Sequence, residues 1–279
     1  MSKFYQVLIV GLLLAATIPA CHKSVQEQEP PDTGPPETEP PVLVPVTMNI
    51  HEKIGGYYLA HPALYNQTTK FYPLILFVHG GGQYGTGTSD LNKVLNEGIP
   101  KLLKEKKFPP AFDANSRKYS FIVIAPQFRN YPDNNALATM IEHAKKSYRI
   151  DSTRIYIVGF SLGGRAVCDY SAEAATQLAA IVAMAGVSSF DIPGKAKTIG
   201  QAGLRAWALH NKPDQVFGWE NSQLFISQIN LYDPKRQSRL TVFPDSTGVQ
   251  YHDAWTKASD PGYKEDGKNI YEWMLQFRR

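Results

Sequence analysis

The sequence predicts an α/β fold with a mostly parallel central sheet and helices on both of its faces. Two observations favour this class. From Val42 onward, short β-rich runs alternate with longer segments of helical spacing, which is typical of strand–helix units around a parallel sheet. Several runs are apolar at every position, as in strands that are buried on both faces. At 279 residues, 43% of them hydrophobic, the chain is long enough to bury one sizeable core.

Seven β-rich runs are predicted to be strands: Gly56–His61, Leu74–Val78, Phe121–Ala125, Arg154–Val158, Ala179–Ala183, Leu204–Leu209 and Leu240–Phe243. Five segments have helical spacing and plausible starts: Asp90–Lys104, Asn135–Tyr148, Leu162–Ala175, Gly218–Ile229 and Asn269–Phe277. The sequence has no internal repeat of solenoid or propeller period. We therefore expect residues 42–279 to form one catalytic domain.

The first 20 residues have the pattern of a cleaved export signal. One early cation, Lys3, precedes the apolar run from Val7 to Ile18, and small residues follow. This run is shorter than the roughly 20 apolar residues that a membrane-spanning helix needs. We expect residues 1–20 to be removed on export.

Cys21 ends the segment Ile18-Pro19-Ala20-Cys21, which resembles the lipobox of bacterial lipoproteins. The resemblance implies that Cys21 is acylated and becomes the mature N-terminus. It also implies that the protein is anchored to a bacterial outer membrane or cell surface. Each buried CH₂ of an acyl chain contributes about 0.8 kcal/mol to such an anchor. The alternative is an ordinary secretory peptide with an incidental cysteine. Residues 21–41, rich in Pro, Glu and Thr, predict a tether without a fold of its own.

The charge distribution argues against a nucleic-acid-binding protein, and the cysteine content argues against a disulfide-stabilised one. The formal net charge is +4, and Lys and Arg are scattered instead of forming a stripe that tracks phosphates, so we expect no nucleic-acid partner. Cys168 is the only cysteine besides Cys21, which argues against a disulfide framework. Cys168 lies in a predicted helix, and we expect its side chain to be a small buried apolar group.

The segment Gly159-Phe160-Ser161-Leu162-Gly163 follows a predicted strand directly and opens a predicted helix. In this context it predicts a nucleophile elbow, where the chain turns sharply and exposes a strained Ser161 above the sheet. Positions 159 and 163 need small residues, because side chains there would collide with the neighbouring strand and helix. The alternative is a glycine-rich helix start at which Ser161 caps the helix.

A glycine run, Gly80-Gly81-Gly82, ends the predicted strand Leu74–Val78. Glycines let backbone N–H groups approach the oxyanion that develops in acyl transfer. We expect the N–H of Leu162 to be one donor, and the N–H of Gly81, or failing that Gly82, to be the other. A surface turn and a phosphate loop are the alternatives, and the latter lacks the Lys-Ser/Thr ending of a P-loop.

An acid and a base are expected after the serine in chain order, as Asp or Glu and then His. Asp214 and His252 each follow a predicted strand, at the edge of an α/β sheet where ligand sites assemble. In this interpretation His252 takes the proton of Ser161, and Asp214 fixes the imidazole tautomer.

Other residues compete for these two roles. His210 is the alternative base, although it precedes the acid and lies in or beside a strand. Asp191 is the alternative acid, because it lies in the loop after Ala179–Ala183. The alternative role for Asp214 is to cap the N-terminus of the helix that follows it. Asp253 is adjacent to His252, so its side chain should point elsewhere.

Three segments together resemble the phospholipase/carboxylesterase-like and dienelactone-hydrolase-like branch of the α/β-hydrolases. They are the loop from His79 to Gly85, the stretch from Asp151 to Gly164, and His252-Asp253-Ala254-Trp255. The likeness runs from about Leu74 to the C-terminus. It implies a serine esterase that uses no metal and no organic cofactor, acting on small acyl or aryl esters or on acetyl or feruloyl esters of polysaccharides. A serine peptidase of the same fold and a non-catalytic glycan-binding surface lipoprotein are the alternatives.

Replacing Cys21 with Ala tests the lipid anchor. Without the acylated thiol, the exported protein should move from the membrane fraction to the soluble fraction, because no other anchor is expected. Membrane fractionation of cells that produce the two forms measures this. Retention of Cys21→Ala in the membrane fraction would reject the anchor.

Overall fold

The structure is a computed structural model that describes residues 35–235, 237–244 and 251–279. The predicted signal sequence, Cys21 and most of the tether lie outside these residues. Within the described ranges, no helix is long and apolar enough to cross a membrane.

The described residues form ten strands. They are β1 Val42–His51, β2 Ile54–His61, β3 Tyr72–Val78, β4 Phe112–Ala114, β5 Arg117–Tyr119, β6 Ile122–Phe128, β7 Ile150–Phe160, β8 Ala180–Met184, β9 Arg205–Asn211 and β10 Arg239–Phe243. Eight of them make one sheet in the order β1-β2-β6-β3-β7-β8-β9-β10. Neighbours from β6 to β10 are parallel, whereas β1 and β2 are antiparallel additions at one edge. The mostly parallel sheet is confirmed.

Seven α-helices connect or follow these strands in the described part of the chain. They are α1 Gly98–Lys104, α2 Asn134–Ser147, α3 Leu162–Glu173, α4 Ile192–Gln201, α5 Trp219–Tyr232, α6 Trp255–Ser259 and α7 Ile270–Met274. The 3₁₀ turns lie at Tyr65–Gln67, Gly81–Gln83 and Leu91–Asn96.

Two apolar cores fill the two sides of the sheet, because alternate residues of a strand face opposite ways. Leu74 and Leu76 of β3 pack with α2, α3, α4 and α5 in one core. Ile75 and Phe77 pack with α1, α6 and α7 in the other. Helices on both faces therefore cover strands that are apolar throughout, as the sequence predicts.

All seven predicted strands are present, with ends that differ by up to four residues. The single helix predicted over Asp90–Lys104 is wrong. The segment is a 3₁₀ turn followed by α1, with extended Glu97 between them, and α1 begins at Gly98, where φ is +58°. A Cβ on Gly98 would lie 2.7 Å from the ring of Phe77, so glycine permits both the left-handed backbone and the close packing.

Helix α3 lies unusually close to the sheet at its first turn. A Cβ on Gly163 would lie 2.1 Å from the carbonyl oxygen of Val78 in β3 and 2.5 Å from that of His79. Backbone atoms of a central strand cannot move aside as a flexible side chain can. The absence of a side chain at position 163 therefore sets the position of α3 and of the residue that precedes it.

Gly163→Ala should destabilise the fold by about 3 kcal/mol or more, since overpacking against backbone forces α3 away from β3. Gly82→Ala is the matched control, because a Cβ there meets nothing within 4 Å. Urea unfolding of the purified variants measures both changes. Equal free energies of unfolding for the two variants would contradict the proposed role of the close approach.

Candidate active site

Ser161 lies in the turn between β7 and α3 with a strained backbone. Its φ is 51° and its ψ is −126°, a combination that costs on the order of 1–3 kcal/mol outside glycine. The N–H of Ser161 donates to the carbonyl of Met184 in the neighbouring strand at 2.9 Å. A Cβ on Gly159 would lie 2.6 Å from the carbonyl oxygen of Gly163, so the turn needs glycine there. The sharp strand-to-helix turn expected from the motif is present.

The side chain of Ser161 does not cap the helix that it precedes. Ser161 occupies the N-cap position of α3 but makes no side-chain hydrogen bond to the first turn. Its Oγ lies instead 2.8 Å from Nε2 of His252. The helix-capping interpretation of the motif is therefore wrong, and the hydroxyl is available for proton transfer.

His252 connects the serine to a carboxylate. Its Nδ1 lies 2.7 Å from Oδ2 of Asp214. An ionised carboxylate only accepts hydrogen bonds, so the ring proton belongs on Nδ1 and the lone pair of Nε2 faces the hydroxyl of Ser161. The three side chains follow β7, β9 and β10 at the carboxyl edge of the sheet. The amide of Asn211 donates to the carbonyl of Tyr251 at 2.8 Å and fastens the histidine loop to β9.

Asp214 is buried, yet its carboxylate is surrounded by donors. Oδ1 accepts the backbone N–H groups of Val216 at 2.8 Å and Phe217 at 3.0 Å. Burial opposes ionisation, but the N–H groups of His210, His252 and the two backbone amides outweigh it and hold the pKa of Asp214 well below its usual range. The carboxylate is therefore charged at neutral pH and can stabilise an imidazolium at His252.

Aromatic side chains hold the imidazole of His252 from two sides. Phe217 stacks on it with ring centroids 5.8 Å apart and an angle of 25°, and Trp255 meets it edge-on at 5.1 Å. The indole N–H of Trp255 donates to Glu97 at 2.9 Å. Sequence reasoning did not predict these contacts. Trp255 enters it only within the segment from His252 to Trp255, and Glu97 is 158 positions away.

The glycine loop lies beside the serine turn. Gly81 begins a 3₁₀ turn, with two residues between it and the end of β3, and a Cβ on it would lie 3.0 Å from the side chain of Leu162. Leu162 is the first residue of α3, so its N–H has no acceptor within the helix. Gly81 therefore lies against the residue that opens α3, while Gly82 faces open space. This arrangement suits a pair of donors for an oxyanion.

His79 has a structural role at the base of this loop. Its Nε2 accepts the N–H of Phe128 at 2.9 Å, so its proton is on Nδ1, which donates to the carbonyl of Gly80 at 2.7 Å. Burial lowers the pKa of His79 to about 4. The neutral ring therefore joins the end of β3 to the end of β6.

Of the competing residues, the two carboxylates are engaged elsewhere and the histidine contacts the acid instead of the serine. Asp191 caps α4, where its carboxylate accepts the N–H of Gly194 at 3.3 Å. His210 is buried in β9 and contacts Asp214 at 3.3 Å. The carboxylate of Asp253 accepts the N–H of Thr256. The acid that contacts His252 is Asp214, and the imidazole that contacts Ser161 belongs to His252.

A thiol and metal ligands would each allow a different chemistry from that of Ser161. Cys168 is buried in α3, and burial raises the pKa of its thiol to about 12, so it is no nucleophile at neutral pH. In the part of the chain that the structure describes, no three His, Cys, Asp or Glu side chains are grouped so as to hold a metal ion.

Comparison with known proteins supports the fold. No protein-family model matches the chain. The chain is similar to a bifunctional acetylxylan esterase/xylanase of Neocallimastix patriciarum, with 25% identity over 115 residues. That match covers 40% of this chain and 16% of the relative.

Solved structures resemble the chain over more of its length. A thermostable esterase matches with a TM-score of 0.61 and 20% identity, covering 86% of this chain and 63% of that one. A feruloyl esterase module from Clostridium thermocellum, complexed with sinapinate, gives 0.52 and 15%, covering 82% and 89%. A fluorophosphonate-binding serine hydrolase from Staphylococcus aureus gives 0.53 and 13%, covering 78% and 95%. The architecture is the α/β-hydrolase fold.

The buried neutral imidazole of His79 predicts a loss of stability in mild acid. The unfolded chain binds this proton near pH 6.5, whereas the folded chain binds it only near the lowered pKa of about 4. Between those values the unfolded state holds more protons, so stability falls as pH falls. From pH 7 to pH 5 this one group should remove about 2 kcal/mol.

His79→Gln is the matching variant, since its amide oxygen accepts the N–H of Phe128 and does not titrate. Urea unfolding at pH 7 and pH 5 should show a smaller pH-dependent loss in the variant, by about 2 kcal/mol. The same loss in both proteins would show that His79 is not buried in its neutral form.

Proposed function

We propose that the chain is a serine carboxylic-ester hydrolase that acts through an acyl-enzyme at Ser161. The observation that carries the proposal is the continuous set of contacts from Oγ of Ser161 through both ring nitrogens of His252 to Asp214, at 2.8 and 2.7 Å. Nucleophile, base and acid in this geometry are the signature of covalent acyl transfer.

In acylation, Nε2 of His252 accepts the hydroxyl proton while Oγ of Ser161 bonds to the ester carbonyl carbon. The carbonyl π electrons move to oxygen, and the backbone N–H groups of Leu162 and Gly81, with Gly82 as second choice, donate to that oxyanion. When the oxyanion collapses, the bond from carbon to the alcohol oxygen breaks. His252 then returns the proton to the departing alcohol.

Deacylation repeats these steps with water. His252 takes a proton from water, the hydroxide bonds to the acyl carbon, and the second oxyanion collapses to expel Oγ of Ser161. The proton returns to Oγ and the carboxylic acid leaves. In both halves, ionised Asp214 stabilises the imidazolium and keeps Nε2 directed at the reacting atoms.

We further propose that the substrates are small acyl or aryl esters, including acetyl or feruloyl esters of polysaccharides. The names of the acetylxylan esterase/xylanase and of the feruloyl esterase module support this class. A lipid anchor at Cys21 and a tether over residues 21–41 would present the domain to polymers at the cell surface, too large to import.

Ser161→Ala should lower the turnover of 4-nitrophenyl acetate about a millionfold, because acyl transfer loses its nucleophile. Release of nitrophenolate by the purified wild type and variant measures this. Cys168→Ala is the control: it removes a buried thiol from α3 and should leave turnover unchanged. Turnover retained in Ser161→Ala would reject the proposed mechanism.

A matched ester and anilide distinguish esterase from peptidase. The same acyl group on 4-nitrophenol and on 4-nitroaniline presents one carbonyl with two leaving groups, and the esterase should turn over only the ester at a useful rate. Comparable turnover of the anilide would favour a serine peptidase. The absence of turnover with both, across a library of esters, would favour the glycan-binding alternative.

A further inference from the structure

A second histidine contacts the carboxylate of Asp214. The side chains of His210 and Asp214 are both fully buried, and Nε2 of His210 lies 3.3 Å from Oδ2, the same oxygen that accepts from His252. Nε2 of His210 also lies 2.9 Å from the carbonyl of Phe217, and Nδ1 lies 2.7 Å from the hydroxyl of Ser222. Every polar atom of this ring therefore has a partner.

The tautomer of His210 follows from these partners. The carbonyl of Phe217 and the carboxylate of Asp214 both accept hydrogen bonds only, so Nε2 must carry the proton that faces them. A neutral ring then accepts the hydroxyl proton of Ser222 at Nδ1. His210 thus has a donor directed at Asp214 and no contact with Ser161 in the described structure.

With His210 included, the carboxylate of Asp214 has four donors around it. Val216 and Phe217 supply backbone N–H groups to Oδ1, and His252 and His210 face Oδ2. An ionised carboxylate offers about four acceptor positions. The carboxylate is therefore fixed in rotation, and Oδ2 stays directed at Nδ1 of His252.

A second connection runs through Phe217. The ring of Phe217 stacks on His252, and its carbonyl accepts from His210 at 2.9 Å. His210 therefore fixes both groups that orient the imidazole: the carboxylate at its edge and the aromatic ring on its face.

We propose that His210 is a positioning residue for the reaction, which holds Asp214 and Phe217 so that Nε2 of His252 faces the hydroxyl of Ser161. The proposal rests on the proposed function and adds a fourth side chain to it. His210 touches no reacting atom, so its effect is exerted through Asp214 and Phe217.

Two substitutions of His210 by amide side chains test the contacts of its Nε2 and Nδ1 separately. The amide nitrogen of His210→Gln reaches the place of Nε2 and keeps a donor facing Asp214 and Phe217. The shorter amide of His210→Asn reaches the place of Nδ1, keeping the contact with Ser222 and losing the donor. Ser222→Ala removes only the Nδ1 partner and serves as a control for a disturbed buried hydrogen bond.

We expect His210→Asn to lower kcat for 4-nitrophenyl acetate by about 10- to 100-fold with KM within about twofold, by analogy with the loss of an outer partner that orients a metal-ligating side chain. His210→Gln should recover kcat to within about threefold of the wild type, and Ser222→Ala should keep it. Urea unfolding of each variant separates this pattern from a loss of folded protein.

Equal losses of kcat in His210→Asn and His210→Gln, or wild-type kcat in His210→Asn, would overturn the proposal. A low-field proton NMR signal from Nδ1–H of His252 supplies a readout that needs no substrate. It should persist in His210→Gln and move or broaden in His210→Asn, and an unchanged signal in both would also overturn the proposal. Failure of the esterase itself would appear separately, as wild-type turnover no greater than that of Ser161→Ala.

Discussion

The strained turn at Ser161 is the constraint on which the rest of the site depends. A strand and a helix can be joined this tightly only because Gly159 and Gly163 leave room for each other and for β3. The energy stored at Ser161 is on the order of 1–3 kcal/mol, which the packing of β7 in both cores and of α3 in one core offsets. The turn removes the hydroxyl from any capping role and places Leu162 beside the glycine loop. The proposed nucleophile and the proposed oxyanion donor are thus consequences of a single backbone conformation.

A buried charge imposes the second constraint. Asp214 is ionised inside the protein, and a carboxylate without donors there would cost several kcal/mol. The structure meets this cost with two backbone amides and two histidines. The same donors fix the direction of the carboxylate, so the groups that make the charge tolerable also orient His252. Stability and the proposed chemistry therefore depend on the same contacts.

Much of this arrangement follows from local sequence signals. The serine turn was predictable because its glycines and flanking strand are contiguous. Asp214 and His252 were predictable because the elbow pattern implies an acid and then a histidine after the serine, and both follow strands that end at one edge of the sheet. Strand β1 was missed because none of its residues is fully buried and Pro45 interrupts its pattern. Helix α4 was missed although Asp191 and Pro193 mark its start. The contact of His210 with Asp214 could not be predicted from the sequence, because it depends on the path of the turn from Asn211 to Asp214.

We propose that the hydroxyl of Ser161, among all nucleophiles of the chain, is the one that His252 activates. Reaction with a fluorophosphonate followed by peptide mass spectrometry identifies the activated residue. We expect one added phosphonyl group, on the peptide that contains Ser161, and its loss in His252→Ala with the fold intact. A label on another residue, no label in the wild type, or full labelling of His252→Ala would overturn the proposed activation.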